Sequence, residues 1–344
     1  MGSSAIPEVV VFGAGRVGSS NDRSANATPL SHIGAILATD GIRLAAVVDP
    51  DQNARDAAQR QWEEKTSAAF VQSFEALGGA SPEVVALCTP TATRERDVGR
   101  ALKVLPKILV VEKPIAPSTA SARRILRTAR AAGVDIRVNY NRRLDPSTTH
   151  FRSLFPGAPV SIIARYGKGL ANYASHMVDL LDSWFGPVEF AQATSLERPI
   201  GDDIGVSFRM QMKSGLDAHV VSLDRLSFDQ FEIDFFFEDR QLSYLAGGAE
   251  RQVRFAVRDL HYRGYAHLSA DPSQTWHGQI GGFAELYRAI QEHLSNAIPL
   301  GGCRGGEALH VLQVLDGVRK SGRENGRVVP VDESDSLNNP EILE

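Results

Sequence analysis

Val9-Val10-Val11-Phe12-Gly13-Ala14-Gly15-Arg16-Val17-Gly18 is an apolar, β-branched run that ends in G-x-G-x-x-G. The run has the chemistry of a buried strand, and the glycine spacing is that of a strand-to-helix turn that receives a pyrophosphate. Gly13 permits the tight turn, Gly15 lets the backbone approach phosphate oxygens, and Gly18 lets the next helix pack closely. Arg16 and Val17 complete this candidate cofactor loop. The second half of such a fingerprint is an acid at the end of the following strand, and Ala45-Ala46-Val47-Val48-Asp49 supplies it. A carboxylate there accepts hydrogen bonds from an adenosine ribose and repels a 2′-phosphate, which favours NAD over NADP. The other reading of Asp49 is a cap for the helix that starts near Asp51. Asp49 lies 31 positions after Gly18, where the fingerprint expects about 20. The surplus is Ser19–Ser31, a polar stretch with Pro29 near its end, and helix periodicity resumes at His32-Ile33. This insertion either borders the cofactor mouth or is a surface excursion.

Around the motif, strands and helices alternate. The apolar runs are Glu8–Phe12, Leu44–Asp49, Ala69–Val71, Val84–Cys88, Lys107–Glu112 and Asp135–Asn139. Helical patterns over Asp51–Lys65, Ala92–Leu105 and Ser118–Ala132 lie between them, the last with Ser118 as N-cap. Such alternation predicts a doubly wound parallel sheet, an α/β Rossmann domain over residues 1–141. The texture then changes. After a helix over Asn172–Trp184, strand patterns follow at Glu189–Ser195, Val206–Met212, Asp217–Leu223, Gln230–Phe237 and Gln241–Leu245, with Val160–Tyr166 before them. Tight turns such as Lys213-Ser214-Gly215 predict a large, mostly antiparallel open sheet, an α+β domain over residues 142–331. Helices return at Gly281–Asn296 and Gly305–Ser321, and residues 332–344 form an acidic tail.

Composition narrows the classes. The 344 residues are 43% hydrophobic and 23% charged, with 37 basic and 41 acidic side chains for a net charge of −4. That balance gives no footprint for nucleic acid or an anionic membrane. No apolar run reaches the length of about 18 residues that spans a bilayer, and no secretion signal is expected. Cys88 and Cys303 do not make a disulfide framework, so a cytoplasmic, reducing location is expected. The nine histidines are scattered without metal-ligand spacing, so no metal is expected.

Three further segments sit at predicted strand ends: Cys88-Thr89-Pro90-Thr91, Glu112-Lys113-Pro114-Ile115, and Asn139-Tyr140-Asn141-Arg142-Arg143-Leu144-Asp145-Pro146. With Gly13–Gly18 and Val48-Asp49-Pro50, they make the chain resemble the Gfo/Idh/MocA family of NAD(P)-dependent oxidoreductases, which includes inositol and sugar dehydrogenases. The resemblance implies that Thr89, Pro90, Glu112 and Lys113 lie along the cofactor, and that Lys113 also reaches the substrate. An ammonium there stabilises developing charge on the reacting oxygen. The family's D-x-G-x-H motif appears as Asn172-Tyr173-Ala174-Ser175-His176. His176 matches the catalytic histidine, while Asn172 stands where an aspartate is usual and Ala174 replaces the glycine. Four residues apart on a helix, Asn172 and His176 share a face. Asparagine orients the ring but does not offset the charge of an imidazolium. A histidine beside Met177, Val178, Leu180 and Leu181 has a core reading as well. Thr91 and Arg94 also depart from the family, which often carries asparagine and histidine there.

Asn141, Arg142 and Arg143 leave the sixth strand at the carboxyl edge where an open α/β sheet takes its ligand, one of the two arginines being expected in a structural ion pair. Tyr166, Lys168 and Tyr173 are further substrate candidates. The resemblance implies hydride transfer between NAD and a secondary alcohol of a sugar, cyclitol or nucleotide sugar. A ketosugar or imine reductase and a catalytically silent NAD-binding regulator are the alternatives. A homodimer or homotetramer through the C-terminal sheet is expected.

Overall fold

Val9–Val11, Val84–Leu87 and Ile108–Val111 are each at most 1% exposed, as strands must be when helices cover both faces of a sheet. The computed structural model describes residues 6–22, 28–79, 81–223, 226–278 and 281–331. The chain forms two compact units. Among the described residues, the first takes 6–144 and 281–309, and the second 145–278 and 310–331.

In the first unit, β1 (Glu8–Phe12), α1 (His32–Leu37), β2 (Arg43–Val48), α2 (Gln52–Trp62), β3 (Ala69–Val71), β4 (Val84–Leu87), α3 (Arg94–Ala101), β5 (Ile108–Val111), α4 (Thr119–Ala131) and β6 (Asp135–Val138) alternate as the sequence predicts. The strands lie side by side in the order β3-β2-β1-β4-β5-β6, all parallel. This is the doubly wound order with its switch point between β1 and β4. The Ser118 cap falls where the sequence places it, Ser118 Oγ accepting the Ser121 N–H at 3.2 Å, whereas α2 is capped by Asp51 and not by Asp49, through the Asn53 N–H at 2.7 Å.

The second unit opens with α5 (Pro146–Ser153), whose N-cap Asp145 and first-turn proline are a start signal that the sequence reading passes over. Then come β7 (Ser161–Tyr166), α6 (Ser175–Phe185), β8 (Val188–Ala193), a small hairpin of β9 (Arg198–Ile200) and β10 (Asp203–Gly205), β11 (Phe208–Met212), β12 (Asp217–Ser222), β13 (Phe231–Phe236), β14 (Arg240–Leu245), β15 (Glu250–Arg258) and β16 (Ala266–His277). A nine-stranded sheet runs from β16 through β15, β14, β13, β7, β12, β11 and β8 to a last short strand. All its pairings are antiparallel except β7 with β12. The β15–β16 hairpin is not predicted from the sequence because most β16 side chains are exposed. These strands extend a ladder rather than bury an apolar face.

The chain then returns to the first unit with α7 (Phe283–Asn296) and β17 (Cys303–Arg304). Leu286, Tyr287 and Ile290 of α7 pack into one core cluster with Ile33, Ile36 and Val9. Cys303 pairs antiparallel with Val138 at the β6 edge. This corrects the sequence boundary, which assigns residues 142–331 to one second domain: the amphipathic α7 finds its apolar partners in the first unit. Helix α8 (Gly305–Arg323) and β18 (Val329–Pro330), which pairs with β8, follow. The predicted acidic tail lies outside the described residues. Neither cysteine forms a disulfide, and no helix among the described residues is long and apolar enough to cross a membrane.

Leu109, fully buried at the centre of β5, tests the first-unit core. Its replacement by alanine is expected to lower unfolding free energy by about 2–5 kcal/mol, read from urea denaturation.

Candidate functional site

The glycine loop of the first unit is built by close backbone approach. Gly13 has φ +105°, and a Cβ there would lie 2.8 Å from the carbonyl carbon of Cys88. A Cβ on Gly18 would collide with the Gly13 carbonyl oxygen, so neither position accepts a side chain. Gly15 differs: nothing lies within 4 Å of its would-be Cβ. The space beside its backbone is open, which is the cradle that a pyrophosphate needs. Arg16 and Val17 follow in a π-helical turn over Arg16–Ser20, in which the Ser20 and Asn21 N–H groups reach back five residues to Gly15 and Arg16. Single π-turns recur at functional sites because they re-aim backbone groups.

The insertion is stapled at its base. Asp22 accepts the Leu30 N–H at 2.6 Å and the Ser31 hydroxyl at 2.5 Å, and its carbonyl accepts from Gln61 at 3.0 Å. Trp62 donates to Ser19 Oγ at 3.0 Å. Ser31 in turn caps α1 through the Gly34 N–H. The extra residues therefore leave and rejoin the fold at fixed points, and residues 23–27 lie outside the description.

Asp49 sits at the end of β2. One carboxylate oxygen accepts the Ala14 N–H at 2.7 Å and the other the Asp51 N–H at 2.9 Å. Its carboxylate is thus aimed by the glycine loop itself, and the N-cap of α2 is Asp51. Beyond it, a pocket of about 310 Å³ is lined by Phe12, Val48, Pro50, Ser73, Phe74 and Arg100, among others. The carboxyl ends of β1, β2 and β3 form it, with Phe74 edge-on to Phe12 at 5.0 Å. Sequence reading missed Phe74 and Arg100; the polar Gln72-Ser73 turn after β3 is the only local signal for them.

On the other side of β1, Thr89 and Pro90 follow β4. Thr89 is buried and its hydroxyl has no hydrogen-bond partner among the described residues. Lys113 follows β5, half-buried, with a cis peptide to Pro114. Glu112 corrects the expectation of a cofactor contact, because its carboxylate points inward. Its Oε1 lies 2.9 Å from His32 Nε2 and accepts the Asn139 amide N–H at 2.6 Å. His32 Nδ1 is 2.7 Å from the Tyr287 hydroxyl. Burial alone would neutralise His32, but Cys88, Tyr287 and the Glu112 carboxylate outweigh it and hold the imidazole well above its ordinary 6.5. Burial likewise opposes the Glu112 charge, yet His32, Asn139 and Arg94 keep its pKa below the usual value. Burial pushes the Tyr287 phenol up to about 12. Arg94, 1% exposed, donates to the Leu87 carbonyl at 2.9 Å. The sequence reading did not find His32, Asn139 or Tyr287 as a group, since they meet only in three dimensions.

Asn141, Arg142 and Arg143 form a 3₁₀ turn after β6. Arg143 pairs with Glu307 at 3.0 Å.

In the second unit, Leu170–Ala174 is also a π-turn and runs directly into α6. Asn172 is exposed on this turn and His176 is buried in the first turn of α6. The expected single α-helix over both is thus a widened turn followed by a helix. Asp203 holds the turn by accepting the Ala171 and Asn172 N–H groups at 2.8 and 3.0 Å. Tyr173, half-buried, donates to Asp229 at 3.3 Å. Tyr166 corrects the sequence expectation of a substrate contact. It is fully buried, its hydroxyl donating to the Val206 carbonyl at 2.8 Å, and it serves the sheet.

Residues 8–140 match the model of an oxidoreductase family with an NAD-binding Rossmann fold. The chain is 23% identical over 219 residues, 58% of its length and 68% of the relative, to 4-carboxy-2-hydroxymuconate-6-semialdehyde dehydrogenase of Sphingobium sp.. Among solved structures, the super-repressor mutant of Gal80p from Saccharomyces cerevisiae aligns over 97% of this chain and 100% of its own, at TM-score 0.75 and 16% identity. The WlbA dehydrogenase from Bordetella pertussis, in complex with NADH and UDP-GlcNAcA, aligns over 94% and 98%, at TM-score 0.69 and 19% identity. The cofactor of this family is NAD, and the open cradle at Gly15 and the oriented Asp49 fit it.

Two outcomes follow for the first unit. Gly15→Ala meets no atom and is expected to leave the melting temperature unchanged while raising the NAD Kd about tenfold or more, ~1.4 kcal/mol or above, in a calorimetric titration. The His32–Glu112 pair predicts a pH window. The raised His32 contributes fully below 6.5 and its contribution is lost as pH rises through its folded value. The lowered Glu112 contributes above 4.5 and is lost as pH falls through its folded value. Unfolding free energy measured from pH 6 to 9 should therefore decline more steeply in the parent protein than in His32→Gln.

Proposed function

We propose that this chain, whose residues 8–140 match the model of an oxidoreductase family with an NAD-binding Rossmann fold, is an NAD-dependent enzyme. Its reaction is hydride transfer between a secondary alcohol of a sugar, cyclitol or nucleotide sugar and the nicotinamide. The observation that carries the reading is the spacing of two features along one sheet edge. The open glycine cradle lies at the end of β1, and the E-K-P lysine lies at the end of β5, with only β4 between those strands.

When bound, the nicotinamide supplies the carbon that takes or gives the hydride. Gly13, Gly15, Arg16, Val17 and Gly18 hold the pyrophosphate by backbone N–H groups and the open space at Gly15. Asp49, fixed by Ala14 and Asp51, accepts from the adenosine ribose and disfavours a 2′-phosphate, which is why NAD is proposed over NADP. The pocket at Phe12 and Phe74 suits the adenine ring. Thr89 and Pro90 border the nicotinamide half. Lys113 polarises the reacting oxygen through its ammonium, and His176 takes the hydroxyl proton as general base. Asn172 leaves an imidazolium without a carboxylate from that position, so the rise of oxidation with pH begins lower than an aspartate there would set it. Asn141, Arg142 and Tyr173 contact substrate. The WlbA complex with a nucleotide sugar supports this substrate range. The outer face of the nine-stranded sheet is the proposed surface for a homodimer or homotetramer, and the cytoplasm the proposed location.

A silent NAD-binding regulator is the second reading. Asn172 in place of the acid favours it, and the same fold serves in the Gal80p super-repressor mutant. A reductive physiological direction would make Asn172 less consequential.

Absorbance of reduced nicotinamide, followed with NAD against sugars, cyclitols and nucleotide sugars at mildly alkaline pH, separates these. Turnover that falls roughly 100-fold or more in Lys113→Ala, with a pH–rate profile shifted to higher pH in Asn172→Asp, is the expected result. Tight NAD binding with no turnover in either direction would overturn the enzyme reading in favour of the regulator.

A further inference from the structure

Lys168, Tyr173 and Asp229 meet at the start of the turn that leads into α6. The Lys168 ammonium lies 2.5 Å from Asp229 Oδ1, and the Tyr173 hydroxyl donates to Asp229 Oδ2 at 3.3 Å. The same ammonium stands 5.4 Å from the centre of the Tyr173 ring, which is itself edge-on to Phe231 at 5.9 Å. Half of the Lys168 side chain and more than half of the Asp229 side chain are open to solvent. Unlike the buried charges of the first unit, this group is reachable.

Its backbone is under constraint. Lys168 has φ +53°, a left-handed conformation that a non-glycine residue adopts against a steric penalty. Gly169 follows at φ +92°, where a Cβ would strike the Asp203 carboxylate that holds the turn. Isolated exposed ion pairs add little to stability. A lysine kept in a conformation suited to glycine, for such a pair alone, has no structural return. Strained backbone of this kind collects at ligand sites.

The chemistry of the cluster discriminates among ligands. An anionic group drawn to Lys168 meets the Asp229 carboxylate beside it, so the pair as built repels carboxylates and phosphates as much as it attracts them. A neutral vicinal diol suits both partners: one hydroxyl donates to the carboxylate, and a neighbouring oxygen accepts from the ammonium. The Tyr173 ring offers an apolar face to the C–H surface of a sugar or cyclitol. Tyr173 is three residues before His176 on a continuous helical path. Hydrogen bonding to Asp229 is also the main reason the Lys168 amine holds its proton more firmly than usual.

We infer that Lys168, Asp229 and Tyr173 are the hydroxyl-reading part of the substrate site and select a neutral polyol over sugar acids and nucleotide sugars. This rests on the oxidoreductase reading above and narrows its substrate class.

Calorimetric titration of the NADH-saturated protein with myo-inositol, glucose, glucuronate and UDP-glucose tests it apart from turnover. Lys168→Gly relieves the left-handed backbone, so it is expected to fold at least as well as the parent, and Asp229→Asn keeps the size of the side chain. The parent is expected to bind a neutral probe most tightly, both variants to weaken that binding about tenfold or more, and Asp229→Asn to gain affinity for glucuronate. The inference is overturned by neutral-probe binding that neither variant changes, by tighter binding of glucuronate or UDP-glucose in the parent, or by binding of no neutral probe. Lys168-dependent polyol binding without turnover in either direction would support the subsite while removing the oxidoreductase reading. Turnover with Lys168-independent binding would do the reverse.

Discussion

The approach of Gly18 to the Gly13 carbonyl, with Cys88 of the neighbouring β4 end packed against both, is the contact on which the first unit turns. It exists only because two residues lack a Cβ. From it follow the tight exit of the chain from β1 and the π-turn over Arg16–Ser20. The same turn presents the Ala14 N–H to Asp49, so the loop that would receive a phosphate also aims the carboxylate that would receive a ribose. Between the two tight glycines, Gly15 faces open space. Two glycines serve packing and one serves approach, a division of labour visible in what a methyl group would meet at each.

A second organising element is ionic and buried. His32, Glu112, Asn139 and Tyr287 come from α1, the end of β5, the end of β6 and α7, and join by hydrogen bonds of 2.6 to 2.9 Å. Burying a charge pair is costly unless its polar atoms find partners, and here the Tyr287 hydroxyl engages the second ring nitrogen of His32 while the Asn139 amide donates to Glu112 Oε1. The network ties the helix that follows the insertion to the strand end that carries Lys113. It also explains why α7, distant in sequence, belongs to the first unit: it supplies the Tyr287 hydroxyl as well as its apolar face.

The second unit solves a related problem with carboxylates at its surface. Asp203 caps the π-turn before α6 and Asp229 engages Lys168 and Tyr173 at its start, so the turn that displays Asn172 and leads to His176 is held at two points. In both units a π-turn adjoins a candidate site segment, overlapping the end of the glycine loop in the first and leading to His176 in the second. A widened turn shifts the register of the residues after it, which sequence periodicity of 3.6 does not anticipate.

The strand positions and α/β character of the first 140 residues, the glycine motif, the acid at the end of β2 and the cap at Ser118 were legible in the sequence. Each depends on local pattern: apolar runs, glycine spacing, or a side chain bonding its own neighbours. Tertiary structure alone decided that Glu112 turns inward to His32, that Tyr166 serves the sheet through Val206, that Arg143 is held by Glu307, and that residues 281–309 rejoin the first unit. It also decided that residues 250–277 form a long hairpin despite their exposed side chains. In each of these cases the deciding partner lies far along the chain or in a neighbouring strand's backbone. Residue type fixes what a side chain can bond, but only the packed fold fixes which partner reaches it first.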